Sequence, residues 1–289
     1  MRLCYAALLA LILLSGCIGQ APKPTPTPLP SKTTPTAPTP GNGCRVIEDI
    51  DYYGDGSYKH MLDLYLPKGS GFPTFVFVHG GAWHAGDRKR IAFVRLARSL
   101  ARDGVAVALV SYRLAPEVTW REMAEDIAKA VKWVSEHIGE YGGSGVVVLG
   151  GHSAGAHLAA LVALCEEYGV KVSGLIAWSG VYNITELMLE AGDKGFKEAF
   201  TGSSEEWREA SPIAWASPGD PPTLVLYGSR NPELIVRQSN HLYKALREAG
   251  VPAELKVLEG ETHSSEVKQA ASKGEAYKVI LEFIKALQP

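Results

Sequence analysis

The residues of this chain best suited to catalysis surround Ser153, in the run Gly151-His152-Ser153-Ala154-Gly155. The apolar, strand-like run Val146–Gly150 precedes this G-x-S-x-G pattern, and the helix-like stretch Ala154–Tyr168 follows it. A serine on such a strand-to-helix turn is held on a strained corner, with its hydroxyl exposed and the positive end of the helix beneath it. The pattern alone also fits a glycine-rich turn without chemistry. Its flanking strand and helix favour Ser153 as a nucleophile.

A second motif, His79-Gly80-Gly81-Ala82-Trp83, follows the apolar run Thr74–Val78. Ester hydrolysis passes through a tetrahedral oxyanion that backbone N–H groups stabilise, and losing one such donor costs about 3–4 kcal/mol in a well-studied protease. Glycines let the main chain approach the substrate closely, although a Gly-Gly pair also suits a plain turn. With the serine motif downstream, we expect an oxyanion hole formed by the amides of Gly81, Ala82 and Ala154.

His263 is the candidate for the general base. A serine hydroxyl is a poor nucleophile until a neighbouring imidazole removes its proton. The chain has eight histidines, and only His263 follows the last strand-like run, Ala253–Val257, of a repeating strand–helix series. Behind a nucleophile turn of this kind, the catalytic residues follow the order serine, acid, histidine. His263 stands where that order places the base.

These motifs resemble those of the α/β-hydrolase superfamily, and within it those of the HGGAW-type carboxylesterases. The chain looks most like the prenylcysteine methylesterase-like and feruloyl/acetyl-xylan-esterase-like branch, from about Ile47 to the C-terminus. Further matching segments are Ser111–Pro116, Trp178–Asn183, Ser211-Pro212 and Glu259–His263. The resemblance implies a mostly parallel eight-stranded sheet and serine ester hydrolysis without a cofactor. A shared fold does not determine the substrate.

The acid of the expected triad departs from this pattern. In such enzymes a strand ending in Tyr-Gly or His-Gly is followed three residues later by the catalytic aspartate, and here the run Thr223–Gly228 leads to Asn231. Replacing the acid by its amide in a serine protease costs about 10⁴ in turnover. Three interpretations stay open: Glu233 reaches His263 instead, Asn231 holds the ring as a neutral acceptor, or the chain only binds. We favour Glu233, because glutamate is an accepted triad acid.

The surrounding pattern predicts an α/β fold, a mostly parallel sheet with helices on both faces. Two early runs, Ile47–Asp51 and Met61–Leu66, predict an antiparallel pair. Six further strands are expected near 74–78, 105–110, 146–150, 172–178, 223–227 and 253–258. Between them, apolar residues from Met123 to Ile138 recur every three or four positions and predict a helix with one buried face. The segment 183–216 interrupts this alternation and predicts a small cap insertion over the pocket.

On the predicted helix, Asp126 has two interpretations. It either anchors the loop that contains Ser111–Pro116 or is a solvated helix carboxylate, and we favour the second.

The first 43 residues predict targeting rather than fold. Arg2 and the apolar run Leu8–Leu14 are typical of a secretory signal, because that run is shorter than the roughly 20 residues that a bilayer span needs. The signal, residues 1–17, ends in a sequence that resembles the lipobox of prokaryotic lipoproteins, which implies a lipid on Cys17. Residues 18–43 alternate proline with threonine and predict an extended linker, either an O-glycosylated stalk or a plain spacer. The catalytic domain is expected at 44–289, outside the cytoplasm and tethered to the membrane.

Charge and cysteine content restrict the partners. After the first 43 residues the chain carries 26 basic and 31 acidic residues and no basic run, which argues against nucleic-acid binding. Cys44 and Cys165 remain after removal of the signal and could pair in an oxidising exterior. No Cys/His spacing predicts a metal site.

We therefore interpret the chain as a serine carboxylesterase for small or medium esters, acting through an acyl-enzyme on Ser153 with His263 as the base. Trp83 and His84 are expected to wall the substrate pocket. The alternatives are an amidase or formamidase on the same scaffold, or a surface binding protein that has lost catalysis at Asn231.

Overall fold

An eight-stranded sheet forms the centre of the computed structural model, which describes residues 43–191 and 195–288. Its strands are β1 (Arg45–Asp51), β2 (Met61–Leu66), β3 (Phe72–Val78), β4 (Ala106–Val110), β5 (Gly143–His152), β6 (Gly174–Trp178), β7 (Thr223–Gly228) and β8 (Ala253–Leu258). They lie in the order β1-β2-β4-β3-β5-β6-β7-β8. β2 is antiparallel to both of its neighbours, and the other neighbouring strands run parallel. The predicted sheet, including its early antiparallel pair, is confirmed.

Helices cover both faces of the sheet. In the described part of the chain they are α1 (Ile91–Arg102), α2 (Trp120–His137), α3 (Ala154–Leu164), α4 (Ile184–Ala191), α5 (Ser204–Glu209), α6 (Glu233–Glu248), α7 (Ser265–Ala271) and α8 (Glu275–Ala286). Along β3, Phe75 and Phe77 join one buried apolar cluster with α1, α7 and α8, whereas Val76 and Val78 join another with α2, α3 and α6. This alternation is that of a strand buried on both faces, which a parallel sheet requires.

Helix α2 matches the predicted helix with one buried face. Thr119 and Glu122 form a capping box that satisfies backbone N–H groups at its N-terminus. Met123, Ile127 and Val131 lie on its buried face. The capping residues and the spacing of the apolar residues therefore both favour the helix α2.

The segment between β6 and β7 contains the predicted insertion. Its described parts are α4, α5, a 3₁₀ turn at Pro212–Ala214 and the connecting loops, while residues 192–194 lie outside the described residues. The backbone N–H of Trp120 donates to the Ala199 carbonyl at 2.9 Å. The Phe200 ring lies 4.7 Å from the ring of Trp83, in the loop that follows β3. The insertion is therefore packed against that loop.

The predicted signal at 1–17, with Cys17, lies outside the described residues, as does the predicted linker at 18–43 apart from Gly43. Of the helices in the described ranges, none has both the length and the apolar character needed to cross a membrane.

The pairing of Cys44 with Cys165, which the sequence left open, does not occur in the structure. Both thiols are free and buried. Cys44 belongs to the apolar cluster on one face of the sheet, and Cys165 belongs to the cluster on the opposite face. Since a disulfide requires the two Cα atoms to lie within about 7 Å, cysteines on opposite faces of the sheet do not pair with each other.

Asp126 is a buried anchor, and the favoured prediction of a solvated carboxylate is wrong. Its side chain is 0 % exposed. It accepts hydrogen bonds from Arg113 Nε at 2.9 Å, from Arg113 Nη2 at 2.6 Å and from the Arg113 backbone N–H at 3.1 Å. Such bidentate pairing compensates the carboxylate for its lost hydration. Asp126 thereby holds the loop that contains Ser111–Pro116 against α2.

We expect Asp126→Asn to lower the free energy of unfolding by about 2–4 kcal/mol, because Arg113 loses its counter-charge in a mostly buried site. Urea unfolding followed by tryptophan fluorescence measures the change. Glu205→Gln is the matched control, since it removes a carboxylate whose ion pair with Arg208 is exposed, and it should change stability little. Equal stability of the two variants would contradict the anchoring role of Asp126.

Candidate active site

The candidate site lies at the carboxyl ends of the central parallel strands. The chain leaves β3 toward β4 on one side and leaves β5 toward β6 on the other. Such a reversal opens a crevice between the two departing loops. Val78 at the end of β3 is paired with Gly151 in β5, so the loop that begins at His79 and the turn at Ser153 leave the sheet side by side.

Ser153 occupies a sharp turn that only small neighbours permit. Its backbone has φ 58° and ψ −123°, a strained conformation for a residue with a side chain. A Cβ atom on Gly151 would lie 2.5 Å from the carbonyl oxygen of Val78, and one on Gly155 would collide with the same oxygen. The two glycines therefore allow the turn to lie against β3, as the G-x-S-x-G pattern predicts.

Ser153 and His263 are in contact. His263 Nε2 lies 2.9 Å from Ser153 Oγ, and both side chains are buried. His263 follows β8, and the Glu261 carbonyl in the same loop accepts a hydrogen bond from the Arg230 amide in the loop after β7. The loops after β7 and β8 are therefore hydrogen-bonded to each other. The His263 imidazole lies within hydrogen-bond distance of the Ser153 hydroxyl.

Asn231, and not Glu233, lies beside the second nitrogen of the His263 ring. Asn231 Oδ1 is 2.9 Å from His263 Nδ1. Glu233 is the first residue of α6, and its side chain is 82 % exposed, with Arg237 at 3.8 Å. The prediction that Glu233 is the triad acid is wrong, because the start of α6 directs its carboxylate into solvent.

A carboxylate that the sequence analysis missed, Glu266, lies behind this pair. It belongs to α7 and is fully buried. Its Oε2 accepts hydrogen bonds from the Gly228 amide at 2.8 Å and from Asn231 Nδ2 at 3.1 Å. Its Oε1 lies 2.9 Å from His152 Nε2 and 3.7 Å from His263 Nδ1. The three-residue spacing from His263 was the available signal, because residues three apart share one side of a helical turn.

The loop after β3 lies directly against the nucleophile turn. A Cβ atom on Gly80 would be 2.7 Å from the carbonyl oxygen of His152 and 3.0 Å from Ser153 Cβ. Gly81 and Ala82 both have positive φ values, 143° and 52°. This loop can therefore bring its peptide groups close to the serine hydroxyl.

The loop's own hydrogen bonds orient the expected oxyanion donors. Gly80 O lies 3.1 Å from His79 Nδ1, and Gly81 O accepts the Ala85 amide at 2.9 Å. A trans peptide directs its N–H opposite to its C=O, so the amides of Gly81 and Ala82 point away from these contacts. The third expected donor, Ala154, begins α3 and has no acceptor within the helix for its N–H.

Trp83 is buried beneath this loop, and the prediction that it walls the pocket is wrong. It is only 2 % exposed. Its indole N–H donates to His157 Nδ1 at 3.0 Å, and the Phe196 and Phe200 rings meet it edge-on at 5.7 and 4.7 Å. Trp83 therefore joins the loop to the insertion instead of offering a surface to substrate.

His84 keeps a partly exposed side chain. Its Nδ1 lies 2.8 Å from Ala82 O, and its Nε2 lies 3.1 Å from Glu198 Oε2 in the insertion. The expectation that His84 borders the pocket stays a prediction.

Burial keeps the histidines of the site uncharged. It lowers the pKa of His263 to about 3, an effect that His152 reinforces and Glu266 opposes. It also lowers the pKa of His152 to about 3, with a smaller contribution from Arg90. A neutral His263 can accept the Ser153 proton directly. Burial raises the pKa of Glu266, against the opposing effects of His263 and of hydrogen bonds from Ser179, Asn231 and Gly228.

Within the described ranges, His152, His263 and Glu266 are also the one group whose possible metal-ligand atoms lie within 4.8 Å of one another. These atoms already form hydrogen bonds, His152 to Glu266 and His263 to Asn231.

The sheet order, the nucleophile turn after β5 and the histidine after β8 define the α/β-hydrolase superfamily. Residues 62–246 match the model of the BD-FAE family, and the chain belongs to that family. The resemblance to this superfamily is thereby confirmed.

Named relatives are similar to this chain over most of its length. Esterase LipQ of Mycobacterium tuberculosis is 31% identical over 225 residues, which cover 68% of this chain and 52% of the relative. Isoprenylcysteine alpha-carbonyl methylesterase ICME of Arabidopsis thaliana is 31% identical over 239 residues, which cover 73% and 55%. The chain thus spans about half the length of these relatives. The crystal structure of esterase B from Lactobacillus rhamnosis has a TM-score of 0.72 at 24% identity, covering 86% of this chain and 87% of that chain, and shares the fold.

Four buried histidines should make the protein sensitive to acid. Burial lowers the pKa of His79 and His157 to about 4 and that of His152 and His263 to about 3, below the unfolded value of about 6.5. Their contribution to stability is present above pH 6.5 and is lost as the pH falls toward the folded pKa values, because the unfolded state binds protons first. Each histidine should lower the free energy of unfolding by about 1.4 kcal/mol per pH unit below 6.5.

Urea unfolding at several pH values between 7.5 and 5 measures this slope. His157→Gln should reduce the slope by about one histidine's share, whatever its effect on stability at pH 7.5. Stability that stays constant over this range would show that these histidines are not held neutral.

Proposed function

We propose that this chain is a serine carboxylesterase that forms an acyl-enzyme on Ser153. The contact that carries the proposal is the 2.9 Å separation of Ser153 Oγ from His263 Nε2, with Asn231 Oδ1 2.9 Å from the other ring nitrogen. A nucleophile, a base and an orienting group in hydrogen-bond contact are the arrangement that acyl transfer requires. Membership of the BD-FAE family and the esterase names of the relatives support this reaction class.

The chemistry proceeds in two halves. In the first, Ser153 Oγ attacks the ester carbonyl carbon while His263 Nε2 takes the hydroxyl proton. His263 then gives that proton to the departing alcohol oxygen, which leaves the acyl group on Ser153. In the second half, water attacks the acyl carbon, with His263 again accepting the proton and returning it to Ser153.

The amides of Gly81, Ala82 and Ala154 support both halves. Each half passes through a tetrahedral oxyanion, and these N–H groups are the candidates to receive it. Preorganised donors of this kind need no rearrangement during the reaction, and each is worth about 3–4 kcal/mol of barrier in a comparable enzyme. Small or medium esters are the proposed substrates, and formamides are the alternative class.

We expect Ser153→Ala to abolish both fluorophosphonate labelling and hydrolysis of p-nitrophenyl acetate, with a fall in kcat of at least about 10³-fold. Ser135→Ala is the matched control, because Ser135 lies on the exposed face of α2 and should keep full activity. A series of p-nitrophenyl esters of increasing acyl length then sizes the pocket, and an N-formyl amide tests the alternative. Full hydrolysis by Ser153→Ala would overturn the mechanism, and an unlabelled wild-type protein would favour a binding role.

We also propose that the enzyme is lipid-anchored through Cys17 outside the cytoplasm, which rests on the lipobox-like Leu14-Ser15-Gly16-Cys17. An acyl chain favours membrane association by about 0.8 kcal/mol per buried methylene. Expressed in bacteria with an alkyne-tagged fatty acid, the wild type should be labelled and partition into detergent, and Cys17→Ser should lose both properties. Cys4→Ser, inside the predicted signal, is the control. Equal labelling of Cys17→Ser and wild type would refute the anchor.

A further inference from the structure

Glu266 is a buried carboxylate that takes no part in the two half-reactions proposed for Ser153 and His263. It is surrounded by hydrogen-bond donors: the Gly228 amide and Asn231 Nδ2 bind Oε2, and His152 Nε2 lies 2.9 Å from Oε1. A buried carboxylate without a cation is costly to retain, and several donors aimed at it stabilise its ionised form. Its position behind the Ser153–His263 pair suggests a role in catalysis.

Glu266 determines which way the Asn231 amide faces. Asn231 Nδ2 has two acceptors, Glu266 Oε2 at 3.1 Å and Ser179 Oγ at 3.3 Å. The amide oxygen must then face His263 Nδ1, 2.9 Å away, and it can only accept a hydrogen bond there. The proton of a neutral His263 is thus placed on Nδ1, which leaves the Nε2 lone pair free for the Ser153 hydroxyl.

This orientation of the Asn231 amide prevents the loss of activity that an amide at the acid position of a triad usually causes. In a serine protease whose triad aspartate is replaced by asparagine, the loss of about 10⁴ in turnover arises from the wrong histidine tautomer. Here the carboxylate behind the amide excludes the flipped arrangement, because an amide oxygen would then face a carboxylate oxygen.

Glu266 also brings a negative charge close to the base. Its Oε1 lies 3.7 Å from His263 Nδ1. When His263 takes the Ser153 proton, the new positive charge on the imidazolium forms within this distance of the carboxylate. Between buried groups such an attraction is far stronger than in water. A triad aspartate supplies this negative charge in direct contact with the histidine. Here Glu266 supplies it from behind Asn231, without that direct contact.

We propose that Ser153, His263, Asn231 and Glu266 form a relay of side chains in which Glu266 is the positioning residue. Glu266 orients the Asn231 amide, and Asn231 in turn orients the His263 ring. The carboxylate of Glu266 also supplies the negative charge. The proposal rests on the serine esterase function proposed above. No proton leaves the Ser153–His263 pair in this scheme, because Asn231 keeps both amide hydrogens. The scheme requires Glu266 to be ionised during turnover, so the hydrogen bonds from Ser179, Asn231 and Gly228 must limit the rise in its pKa that burial causes.

Three other titratable groups act on this site: His152, Arg90 and Tyr182, whose pKa is raised by burial and by Glu266. His152 packs against the His263 ring at 4.5 Å, and the charge of Arg90 acts on His152. Since burial keeps His152 neutral, its Nε2–H can donate to Glu266 Oε1 without cancelling the carboxylate charge.

The central test is Glu266→Gln, which keeps the shape of the side chain and removes the charge. We expect kcat for p-nitrophenyl acetate to fall by about 100-fold or more with KM nearly unchanged, since the loss affects the charged transition state rather than ester binding. Thermal unfolding of each variant monitors the fold. Glu233→Gln is the matched control, because it removes an exposed carboxylate two residues from Asn231, and its kcat should stay within twofold of wild type.

The decisive variant is the double substitution Asn231→Asp with Glu266→Gln, which moves the carboxylate into direct contact with His263 Nδ1. It should restore kcat to within about tenfold of wild type, because a charge is again present at the ring. Asn231→Asp alone should change kcat by less than about tenfold, since two carboxylates this close share one proton and keep a single charge. If Glu266 had only a structural role, a carboxylate at position 231 would not restore the kcat that Glu266→Gln loses.

The proposal is overturned if Glu266→Gln keeps more than a tenth of wild-type kcat, or if Asn231→Asp fails to raise kcat of the Glu266→Gln protein at least tenfold. Should Glu266→Gln fail to fold, the double variant decides alone: more than a tenth of wild-type kcat supports the relay, and less overturns it. Hydrolysis by the wild type that Ser153→Ala abolishes shows that the esterase function stands in either case. Absence of that activity would instead refute the function proposed above.

Discussion

The close approach of the loop after β3 to the turn after β5 is the constraint on which the whole site depends. At Gly80, Gly151 and Gly155 a Cβ atom would meet backbone atoms of the opposite segment. Without side chains there, the amides of one loop can lie beside the hydroxyl on the other. The pairing of Val78 with Gly151 supplies the framework. The strained backbone at Ser153 persists because the sheet and α3 hold it from both sides.

Burial then determines the electrostatics of the site. His152, Asn231, His263 and Glu266 are almost without contact to solvent, so each polar atom must find its partner among the others. In such surroundings the histidines stay neutral and a carboxylate is retained only where donors surround it. Glu266 meets that condition through the Gly228 amide and the Asn231 side chain. The site therefore combines an uncharged base, which general-base catalysis needs, with a buried carboxyl group whose hydrogen-bond donors oppose the rise in pKa that burial causes.

The parts of the site predicted from sequence are those whose signals are local. Ser153 has a strand before it and a helix after it, and His263 follows the last strand of an alternating series, so chain order was enough to find both. Asp126 carries no such signal, and Glu266 carries only its three-residue spacing from His263. The roles of both carboxylates depend on partners that only the fold brings near. The choice of Glu233 failed for a local reason: α6 begins at that residue, directly after Pro232, and turns its side chain outward. The spacing in the sequence placed Glu233 near Asn231 along the loop, but it did not give the direction in which the Glu233 side chain points.

The insertion and the loop after β3 form one packed unit. Trp83 donates to His157 Nδ1, so the single proton of the neutral His157 lies on Nε2, which donates to Ala210 O at 2.7 Å. This chain of hydrogen bonds runs from the loop after β3, through α3, to the segment before β7. Phe196 and Phe200 pack against the same indole. Because Trp83 directly follows the proposed donors Gly81 and Ala82, a change in the insertion that moves this ring also moves those amides. The packing of the insertion and the position of the proposed donor amides are therefore coupled through Trp83, and substitutions of Phe196 or Phe200 should alter kcat.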